Sequence, residues 1–588
     1  MEPGPKKARL SPDGHPGVAD GRQIPSETTD WGKGPLFLGF DVSTQSCKAL
    51  VMDEDMNTVG VTRVHYDTDL PHYGTVDGCH RGPGGKVTSP TIMWIEAMEQ
   101  CLDKLRDIGC PFGRVVAVSG SGQQHGSVYW TPAGLEHLRK LDPSRGPAFL
   151  QLGEPAFALN ASPIWMDTST TASCREMTKL AGGSLGVAAR TGSTAQERFS
   201  AHHFKRFIEQ HGFTSCGALS LVSSLGASLL LGEVAPIDVS DAAGMNLMDI
   251  RSKTWRSELL EFVSPGEADA LLERLAQPQE SWNVCGTIHN FWVRRYGFPA
   301  TTKIVAWSGD NPCAVVGNGL MREGDIAISL GTSDTALSVV PQVPEKPLPF
   351  GHLFPHPILK DRYWSMLCYT NGDVTRRNIR DQFCPTEPDD QDEWASFTKH
   401  LTNSAPGNDG FAGLFFTTDE ITPAISQGPA VLATCGNTSD STPQPVERFD
   451  DPRRNARAVI EMRALAIKKH LERITPSLLQ QSRGGSPQLF VTGGASNNPA
   501  ILQVFADVFQ RPVRRMDIAE GAAFGAAVRA LHAHGGANAD ADRIVERLLC
   551  KSAVQATPAP ETVAAYLATS KAYAAAEARA EAERGRDL

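Results

Sequence analysis

A carboxylate and an amide, Asp310 and Asn311, follow a short apolar run at residues 304–307. The run predicts a buried strand, and Ser308-Gly309 predicts its end. Open α/β sheets place their working side chains at the carboxyl ends of strands, where a carboxylate can take a proton from a hydroxyl group. The sequence therefore offers Asp310 as a general base. The alternative is an Asp-Asn pair that only forms a turn.

Two hairpin-like segments carry residue types that bind phosphate. In the first, Asp41 ends a predicted strand and Ser43 and Thr44 follow; in the second, a strand runs into Gly331 and Thr332. Glycine lets the backbone approach an anion, hydroxyls donate to its oxygens, and a carboxylate can hold Mg²⁺ directly or through water. We predict that both turns cradle the phosphates of one nucleotide. An aspartate that orders its own turn, and a plain glycine hairpin, are the alternatives.

A glycine-framed loop and one arginine have side chains suited to a sugar. Amides and imidazole both donate and accept hydrogen bonds, so Gln123, Gln124 and His125 could read sugar hydroxyls from the end of a predicted strand at residues 114–119. Arg175, on a predicted helix, could do the same. The alternatives are a surface loop and an arginine that forms a salt bridge.

A Gly-Gly turn and a tryptophan are suited to a nucleotide. Gly493 and Gly494 follow a predicted strand and would allow flat approach of a sugar and base. Trp394 offers a flat face for an adenine. A plain turn and a core tryptophan are the alternatives. The pair His202-His203 has no third ligand at metal-binding spacing, so we predict no metal site there.

These groups need elements that bring distant segments together. A strand, a Ser/Thr turn and a return strand occur twice, from residue 36 to 52 and from residue 326 to 340. Between them, Ser89-Pro90 predicts the start of a helix that leads into the strand at 114–119, which is the rhythm of a mostly parallel sheet. The repeat predicts two related halves that each offer a hairpin to one cleft.

Length and composition limit the function classes. A chain of 588 residues exceeds the about 250–300 residues at which single cores stop growing. A net charge of −10 gives no case for nucleic-acid or membrane binding, and no apolar run approaches the roughly 18 residues of a membrane span. Twelve cysteines without a C-x-x-C pair indicate neither a zinc ribbon nor a disulfide framework. We predict a cytoplasmic protein.

Composition and periodicity also predict boundaries. The Pro-, Gly- and Asp-rich residues 1–33 read as a disordered tail. A first, sugar-binding domain is expected over residues 34–303 and a second, ATP-binding domain over 304–548. Within the second, Arg453 to Leu479 predicts one long helix. Residues 549–588, rich in Ala, Glu and Arg, predict an exposed helical tail.

Five motifs, in this order along the chain, resemble the FGGY carbohydrate kinases. They are the hairpin that begins at Asp41, Gly-Gln-Gln-His-Gly at 122–126, Gly-Asp-Asn-Pro at 309–312, Leu-Gly-Thr-Ser-Asp at 330–334 and Thr-Gly-Gly-Ala-Ser at 492–496. The resemblance covers roughly residues 35–535. It implies an α/β fold of two actin-like (ribonuclease H-like) domains, each a mixed central sheet flanked by helices, with the active site in the cleft between them.

The resemblance also implies an activity: transfer of phosphate from Mg²⁺-ATP to the 5-hydroxyl of D-xylulose, as in the eukaryotic branch of the family, by a monomer or homodimer. Asp310 then matches the general base and Asp41 the Mg²⁺-linked aspartate. The sugar-binding positions are Gln124, His125, Arg175, Asp310 and Asn311. The ATP-binding positions are Ser43, Thr44, Thr332, Trp394, Gly493, Gly494 and Asn497. Ser43 departs from the glycine of many members, and its Cβ restricts approach to a phosphate.

Three other functions remain open. The chain could be a kinase of the same family that acts on ribulose, glycerol or gluconate. It could be an actin- or Hsp70-like ATPase, which needs nucleotide motifs but no sugar-reading loop. It could also be a catalytically silent sugar sensor, which the joint presence of Asp41, Asp310 and Thr332 disfavours.

Overall fold

The computed structural model describes residues 30–386, 392–427, 432–434, 448–475, 486–516, 518, 520–536 and 541–585. Most of the predicted N-terminal tail, residues 1–29, lies outside this range, as do residues 476–479 of the predicted long helix. Among the described residues, no helix has the length and apolar character needed to cross a membrane.

The described chain alternates strands and helices. In chain order, the strands are β1 Leu36–Val42, β2 Ser46–Asp53, β3 Thr58–His65, β4 His80–Arg81, β5 Val87–Pro90, β6 Val115–Gly122, β7 Ser127–Trp130, β8 Ala161–Pro163, β9 Ala218–Leu221, β10 Val284–Thr287, β11 Lys303–Val305, β12 Ser308–Gly309, β13 Ile326–Leu330, β14 Asp334–Val340, β15 His352–Pro355, β16 Tyr363–Tyr369, β17 Phe411–Gly413, β18 Glu420–Ile421, β19 Ala424–Ile425, β20 Leu432–Thr434, β21 Leu489–Thr492, β22 Val513–Met516 and β23 Ser552–Ala556. The α-helices are α1 Tyr66–Asp69, α2 Thr91–Asp107, α3 Pro132–Arg139, α4 Ala148–Leu152, α5 Thr171–Leu180, α6 Ser184–Thr191, α7 Ser200–His211, α8 Val222–Leu231, α9 Val239–Ala242, α10 Ser257–Val263, α11 Ala268–Arg274, α12 Asn290–Tyr296, α13 Asp310–Gly317, α14 Asp373–Phe383, α15 Ala395–Thr402, α16 Pro452–Ile474, α17 Pro499–Phe509, α18 Gly521–Gly535, α19 Ala541–Cys550 and α20 Val563–Arg584.

The first large sheet has the order β10-β11-β6-β1-β2-β3, with β12 beside β6. β1 is antiparallel to β2 but parallel to β6, which is in turn parallel to β11 and β12. Helix α2 packs against β2 and β3, and α8 packs against β6. Asp41 of β1 and Ser308 of β12 both lie opposite Ser121 of β6. The register therefore brings the carboxyl ends of these three strands to one place.

The second large sheet repeats this pattern in the order β15-β16-β14-β13-β21-β22-β23. Its hairpin β13–β14 is antiparallel, and β13, β21 and β22 run parallel. Helices α16 and α17 pack against each other and against this sheet. The two predicted hairpins are thus β1–β2 and β13–β14, and the predicted fold of two α/β halves with mixed central sheets is confirmed.

Helices α13 and α18 cross where the two halves meet, and small residues bring their backbones together. A Cβ atom on Gly525 would lie 1.9 Å from the carbonyl oxygen of Cys313, and one on Gly317 would lie 2.1 Å from that of Gly521. Helix α18 also packs against β1, where a Cβ on Gly39 would lie 2.1 Å from the carbonyl oxygen of Ala523. Small residues thus let the backbone of α18 approach both α13 and β1 closely.

The structure differs from the predicted boundaries in two places. The break between residues 303 and 304 falls inside β11, and β11 and β12 both belong to the first sheet. At the other end, the predicted tail contains β23, the edge strand of the second sheet, and α20, which buries Tyr566, Tyr573 and Glu577. Alanine-rich composition alone does not distinguish an exposed helix from one that packs closely through its small residues.

The start of α2 also differs from its prediction. The helix begins at Thr91, because Ser89 and Pro90 end β5. The Ser89 hydroxyl does not cap the helix; it donates a hydrogen bond to the carbonyl oxygen of Gly78 at 2.8 Å.

Candidate active site

The carboxyl ends of β6 and β12 bring residues 123–125, named the sugar-reading loop after its predicted role, to the proposed base. Asp310 is the first residue of α13, and its Oδ1 accepts hydrogen bonds from the backbone nitrogens of Asn311 at 2.8 Å and Gln124 at 3.4 Å. The Asn311 amide donates to Oε1 of Gln124 at 2.9 Å. Three predicted residues from two distant parts of the chain therefore form one hydrogen-bonded group.

The environment of Asp310 suits a base that works near neutral pH. Burial and, to a smaller degree, the negative charge of Asp41 raise the pKa of Asp310 to about 7, and the backbone donors oppose this shift. A carboxylate with such a pKa is half ionised near pH 7. It also binds a proton more tightly than an ordinary aspartate does.

Asp41 lies at the end of β1 among hydrogen-bond donors. Its oxygens accept from the hydroxyls of Ser43 at 2.5 Å and Ser121 at 2.7 Å, and Lys48 Nζ lies 3.4 Å away. Lys48 also pairs with Glu520, the residue before α18, at 2.7 Å. A carboxylate oxygen is a ligand type that Mg²⁺ prefers, and among the described residues no cluster of three or more Asp, Glu, His or Cys side chains could hold the ion.

Thr44, in the same turn, is held by a tryptophan that the sequence did not single out as a site residue. The indole nitrogen of Trp165 donates to Thr44 Oγ1 at 2.9 Å, and 40% of Trp165 remains exposed. The hydroxyl oxygen of Thr44 thus accepts from the indole, which leaves its hydrogen free to donate elsewhere.

His125 is a buried neutral imidazole in a constrained backbone position. Its φ is 70°, an uncommon value for a residue with a Cβ. Burial and the charge of Arg198 hold the pKa of His125 well below its usual value. Nδ1 lies 2.8 Å from the carbonyl oxygen of Gly244 and must carry the proton. Nε2 is then left as an acceptor, which can receive a bond from a sugar hydroxyl.

The two candidate arginines lie in different environments. Arg175 is exposed on α5, and within the described ranges the structure gives it no hydrogen bond or ion pair. Arg198, half-buried before α7, lies close enough to His125 and His352 for its charge to lower the pKa of both rings. The described contacts therefore do not link Arg175 to that loop, whereas the charge of Arg198 acts on His125 within it. No local pattern distinguishes Arg198 in the sequence.

His352 reaches this region from the second half. It begins β15, and its Nδ1 lies 3.1 Å from the hydroxyl of Ser193 in the first half. Phe199 stacks on His125 with ring centroids 4.5 Å apart and lies 5.6 Å from the ring of His352. Burial lowers the pKa of His352 to about 3, so this second imidazole is also neutral.

The second group of predicted residues lies where β13 and β21 end side by side. Ser329 pairs with Thr492, so the turn of Gly331 and Thr332 adjoins Gly493 and Gly494. Gly493 has a φ of 87°, and a Cβ there would lie 2.4 Å from the carbonyl oxygen of Leu330. A Cβ on Gly494 would meet no atom within 4 Å, so this glycine presents an open backbone surface to a ligand.

Asn497 and Trp394 lie on the segments next to this open surface. Asn497 is exposed and accepts from Arg515 at 3.0 Å. Trp394 precedes α15, and the Arg380 guanidinium lies 4.6 Å from the centre of its ring. The amide of Asn498 donates to Thr398 of α15 at 2.7 Å and so ties the helix of Trp394 to the glycine loop.

Comparison with known proteins identifies the family. The models for the N-terminal and C-terminal domains of the FGGY family of carbohydrate kinases match residues 157–317 and 326–534. The chain is 40% identical over 508 residues to xylulose kinase 2 of Arabidopsis thaliana, covering 84% of this chain and 87% of that protein. It is 38% identical over 547 residues to the xylulose kinase of Mus musculus, covering 92% and 94%.

Solved structures show the same fold at low sequence identity. The xylulose kinase of Rhodospirillum rubrum superimposes with a TM-score of 0.73 at 18% identity, over 94% of this chain and all of that one. The glycerol kinase of Plasmodium falciparum with ADP superimposes with a TM-score of 0.68 at 14% identity, over 94% of this chain and 99% of that one. The predicted two-domain fold and family are thus confirmed, and the chain belongs to the FGGY family of carbohydrate kinases.

Proposed function

We propose that this ATP-dependent carbohydrate kinase phosphorylates D-xylulose at its 5-hydroxyl and releases D-xylulose 5-phosphate and ADP. The observation that carries the proposal is the similarity over most of the chain to xylulose kinases of a plant and a mammal, at 40% and 38% identity. The site supports it, because a base with a pKa of about 7 adjoins hydroxyl readers at one sheet edge. We further propose a cytoplasmic enzyme that is a monomer or homodimer.

In the proposed mechanism, Asp310 accepts the proton of the 5-hydroxyl as that oxygen attacks the γ-phosphate of ATP. His125 accepts from a sugar hydroxyl through Nε2, and Gln124 and Asn311 hold the sugar next to the base. Holding the hydroxyl close to in-line attack and excluding water favour transfer to the sugar over hydrolysis. Arg198 takes the role that the sequence suggested for Arg175, because its charge acts on His125.

ATP is proposed to bind between the two phosphate turns and the glycine loop. Thr44 and Thr332 donate to phosphate oxygens, Gly493 and Gly494 give the nucleotide open backbone, and Asn497 and Trp394 lie on the nucleotide side. Asp41 would hold Mg²⁺, and the ion would supply positive charge next to the transferring phosphoryl group. Ser43 stands where many family members have a glycine, and its Cβ restricts the approach of a phosphate. Its hydroxyl compensates, because it donates to Asp41 at 2.5 Å and orders that carboxylate.

The experiment that tests the function is ADP release from Mg²⁺-ATP with a panel of acceptors. D-xylulose, D-ribulose, L-ribulose and glycerol are each compared with no acceptor. We expect strong stimulation by D-xylulose alone. Stimulation by another acceptor would support the kinase activity but assign it a different substrate. If ADP is released at the same rate with every acceptor and with none, the result would contradict the proposal and favour an actin-like ATPase.

The variant Asp310→Asn tests the base directly. The amide keeps the size of the side chain but cannot accept the proton, so we expect turnover to fall by about 10²- to 10⁴-fold. Binding of D-xylulose, measured by calorimetry, should stay within a few-fold of the parent protein. Full activity in this variant would remove Asp310 as the base.

A further inference from the structure

Four buried charges lie directly behind the second phosphate turn. They are two carboxylates and two guanidinium groups, none with more than 4% of its side chain exposed: Asp334, Arg376, Glu420 and Arg463. Arg376 and Arg463 both donate to Oδ2 of Asp334, at 2.8 Å and 3.0 Å, and Arg463 also pairs with Glu420 at 3.1 Å. The formal charges of this cluster cancel.

Arg376 connects the cluster to the turn itself. One of its terminal nitrogens donates to Asp334 Oδ2, and the other donates to Asp334 Oδ1 at 3.1 Å and to the carbonyl oxygen of Gly331 at 2.9 Å. Gly331 begins the turn and Asp334 ends it. A single rigid guanidinium fork therefore holds both ends of the segment that carries Thr332.

The cluster as a whole anchors the turn to the helices behind it. Arg376 belongs to α14 and Arg463 to α16, and Arg463 donates to the carbonyl oxygen of Asn371 at 2.8 Å. The backbone nitrogen of Asp373 donates to the same Gly331 oxygen at 2.8 Å. Thr332 and Ser333 remain exposed above this support.

Stability alone does not account for such a cluster. Removing charges from water is costly, and well-packed apolar residues of similar volume often give equal or greater stability than a buried ion pair. A buried charged network does, however, impose a single geometry on the backbone that it bonds. Phosphate donors need that property, because donors fixed in advance lose no free energy to reorganisation.

We propose that Arg376 is a positioning residue for phosphoryl transfer: it fixes the turn of residues 331–334 so that the donors of Thr332 point at the phosphates of ATP. This inference rests on the proposed function, in which that turn binds ATP. It assigns an effect on ATP to a side chain of which only 3% is exposed. The requirement is for the fork, because the single nitrogen of a lysine cannot reproduce the two parallel bonds that the Arg376 nitrogens make to Asp334.

The test measures KM for ATP, KM for D-xylulose, kcat and the midpoint of thermal unfolding in a set of variants. Both Arg376→Gln and Arg376→Lys remove the fork. The glutamine also removes the positive charge, and the lysine keeps it. The double variant Arg376→Gln with Asp334→Asn leaves the Arg463–Glu420 pair balanced. Arg377→Gln is the matched control, since Arg377 is the next residue of α14 and, within the described ranges, its one ion pair is the partly exposed pair with Asp373. Thr332→Ala tests the turn itself.

We expect KM for ATP to rise by about tenfold or more in Arg376→Gln and by a smaller factor in Arg376→Lys, with KM for D-xylulose within twofold of the parent. The double variant should recover much of the unfolding midpoint but not the KM for ATP, because the bond to Gly331 is still missing. If Arg376 acted only through stability, the double variant would recover both the unfolding midpoint and the KM for ATP. Arg377→Gln should match the parent protein.

Two results would overturn the inference in different ways. If Thr332→Ala raises KM for ATP and neither Arg376→Lys nor the double variant does, Arg376 does not position the turn, and the proposed function stands. If Thr332→Ala leaves KM for ATP and kcat unchanged, the turn is not part of the ATP site, and the inference fails together with that part of the proposed function. Since both Arg376→Lys and the double variant keep the charges balanced, either can carry the test if Arg376→Gln does not fold.

Discussion

The base of the proposed reaction is set by its surroundings more than by its residue type. Asp310 would have a pKa near 4 in water, and burial beside a second carboxylate moves that pKa to about 7. A higher pKa makes the carboxylate a stronger base. It also means that the carboxylate becomes protonated, and so inactive as a base, at a higher pH. The position of Asp310 therefore predicts how the rate depends on pH.

We expect kcat/KM for the sugar to fall as the pH decreases through about 7. Below that value Asp310 is protonated and cannot accept the hydroxyl proton, so the rate should approach a tenfold loss per pH unit. The measurement is kcat/KM from pH 5.5 to 8.5 at saturating Mg²⁺-ATP, with thermal unfolding followed over the same range as a control. A flat profile between pH 6 and 8 would contradict the assignment of Asp310 as the base.

The two arginines give a second prediction at the scale of single residues. Arg198→Gln should raise KM for D-xylulose by about tenfold or more, because its charge lies beside His125 at the sugar-reading loop. Arg175→Gln should leave KM unchanged, since Arg175 is exposed on α5. Both are measured by initial rates at fixed ATP. An effect of Arg175→Gln larger than that of Arg198→Gln would restore the assignment that the sequence suggested.

At the scale of elements, the crossing of α13 and α18 is the contact that connects the base to the second half. Helix α13 begins with Asp310, and its backbone approaches that of α18 through glycines. A change in the distance between these helices would shift the base relative to the nucleotide. The crossing thus links packing to catalysis.

Gly525→Ala should destabilise the protein by about 1–3 kcal/mol and reduce turnover. Its Cβ would lie 1.9 Å from the carbonyl oxygen of Cys313, so one helix must move. Gly521→Ala on the same helix is the matched control, since a Cβ there meets nothing within 4 Å. Denaturant unfolding and kcat measure both effects. Equal stability of the two variants would mean that the crossing relaxes without cost.

At the scale of the whole molecule, buried and exposed contacts join the two halves. Arg529 of α18 is fully buried, donates to the carbonyl oxygens of Ser281 and Ala306 at 2.6 Å and 2.7 Å, and lies 3.8 Å from Asp238. Nearer the surface, Arg547 of α19 pairs with Asp55 at 2.8 Å. Each contact pairs an arginine with an aspartate. The Arg529 pair is fully buried, whereas the Arg547 pair is partly exposed to water.

Arg529→Leu should cost about 3–5 kcal/mol of unfolding free energy, because it leaves Asp238 and two carbonyl groups buried without their partner. Arg547→Gln, which breaks an exposed pair between the same two halves, should cost no more than about 1 kcal/mol. Denaturant unfolding followed by tryptophan fluorescence and circular dichroism measures both. A loss below about 1 kcal/mol in Arg529→Leu would show that the interface does not depend on this arginine.

The sequence by itself determined the parts of this protein that depend on short-range patterns. Strand-turn-strand hairpins, glycine turns and the strand that precedes Asp310 are all written in consecutive residues, and their order identified the two-domain fold and the family. Through its resemblance to the family, the sequence also grouped His125 with Asn311 and Asp310.

Only the tertiary structure decided which distant side chains complete the site. Arg198 and His352 reach the sugar-reading loop from segments without any local signal, and Arg376 reaches the phosphate turn from a helix behind it. The packing of α20 was likewise hidden in an ordinary alanine-rich composition. The physical reason is that periodicity and turn chemistry act over a few residues, whereas the partner of a buried charge depends on how whole elements pack.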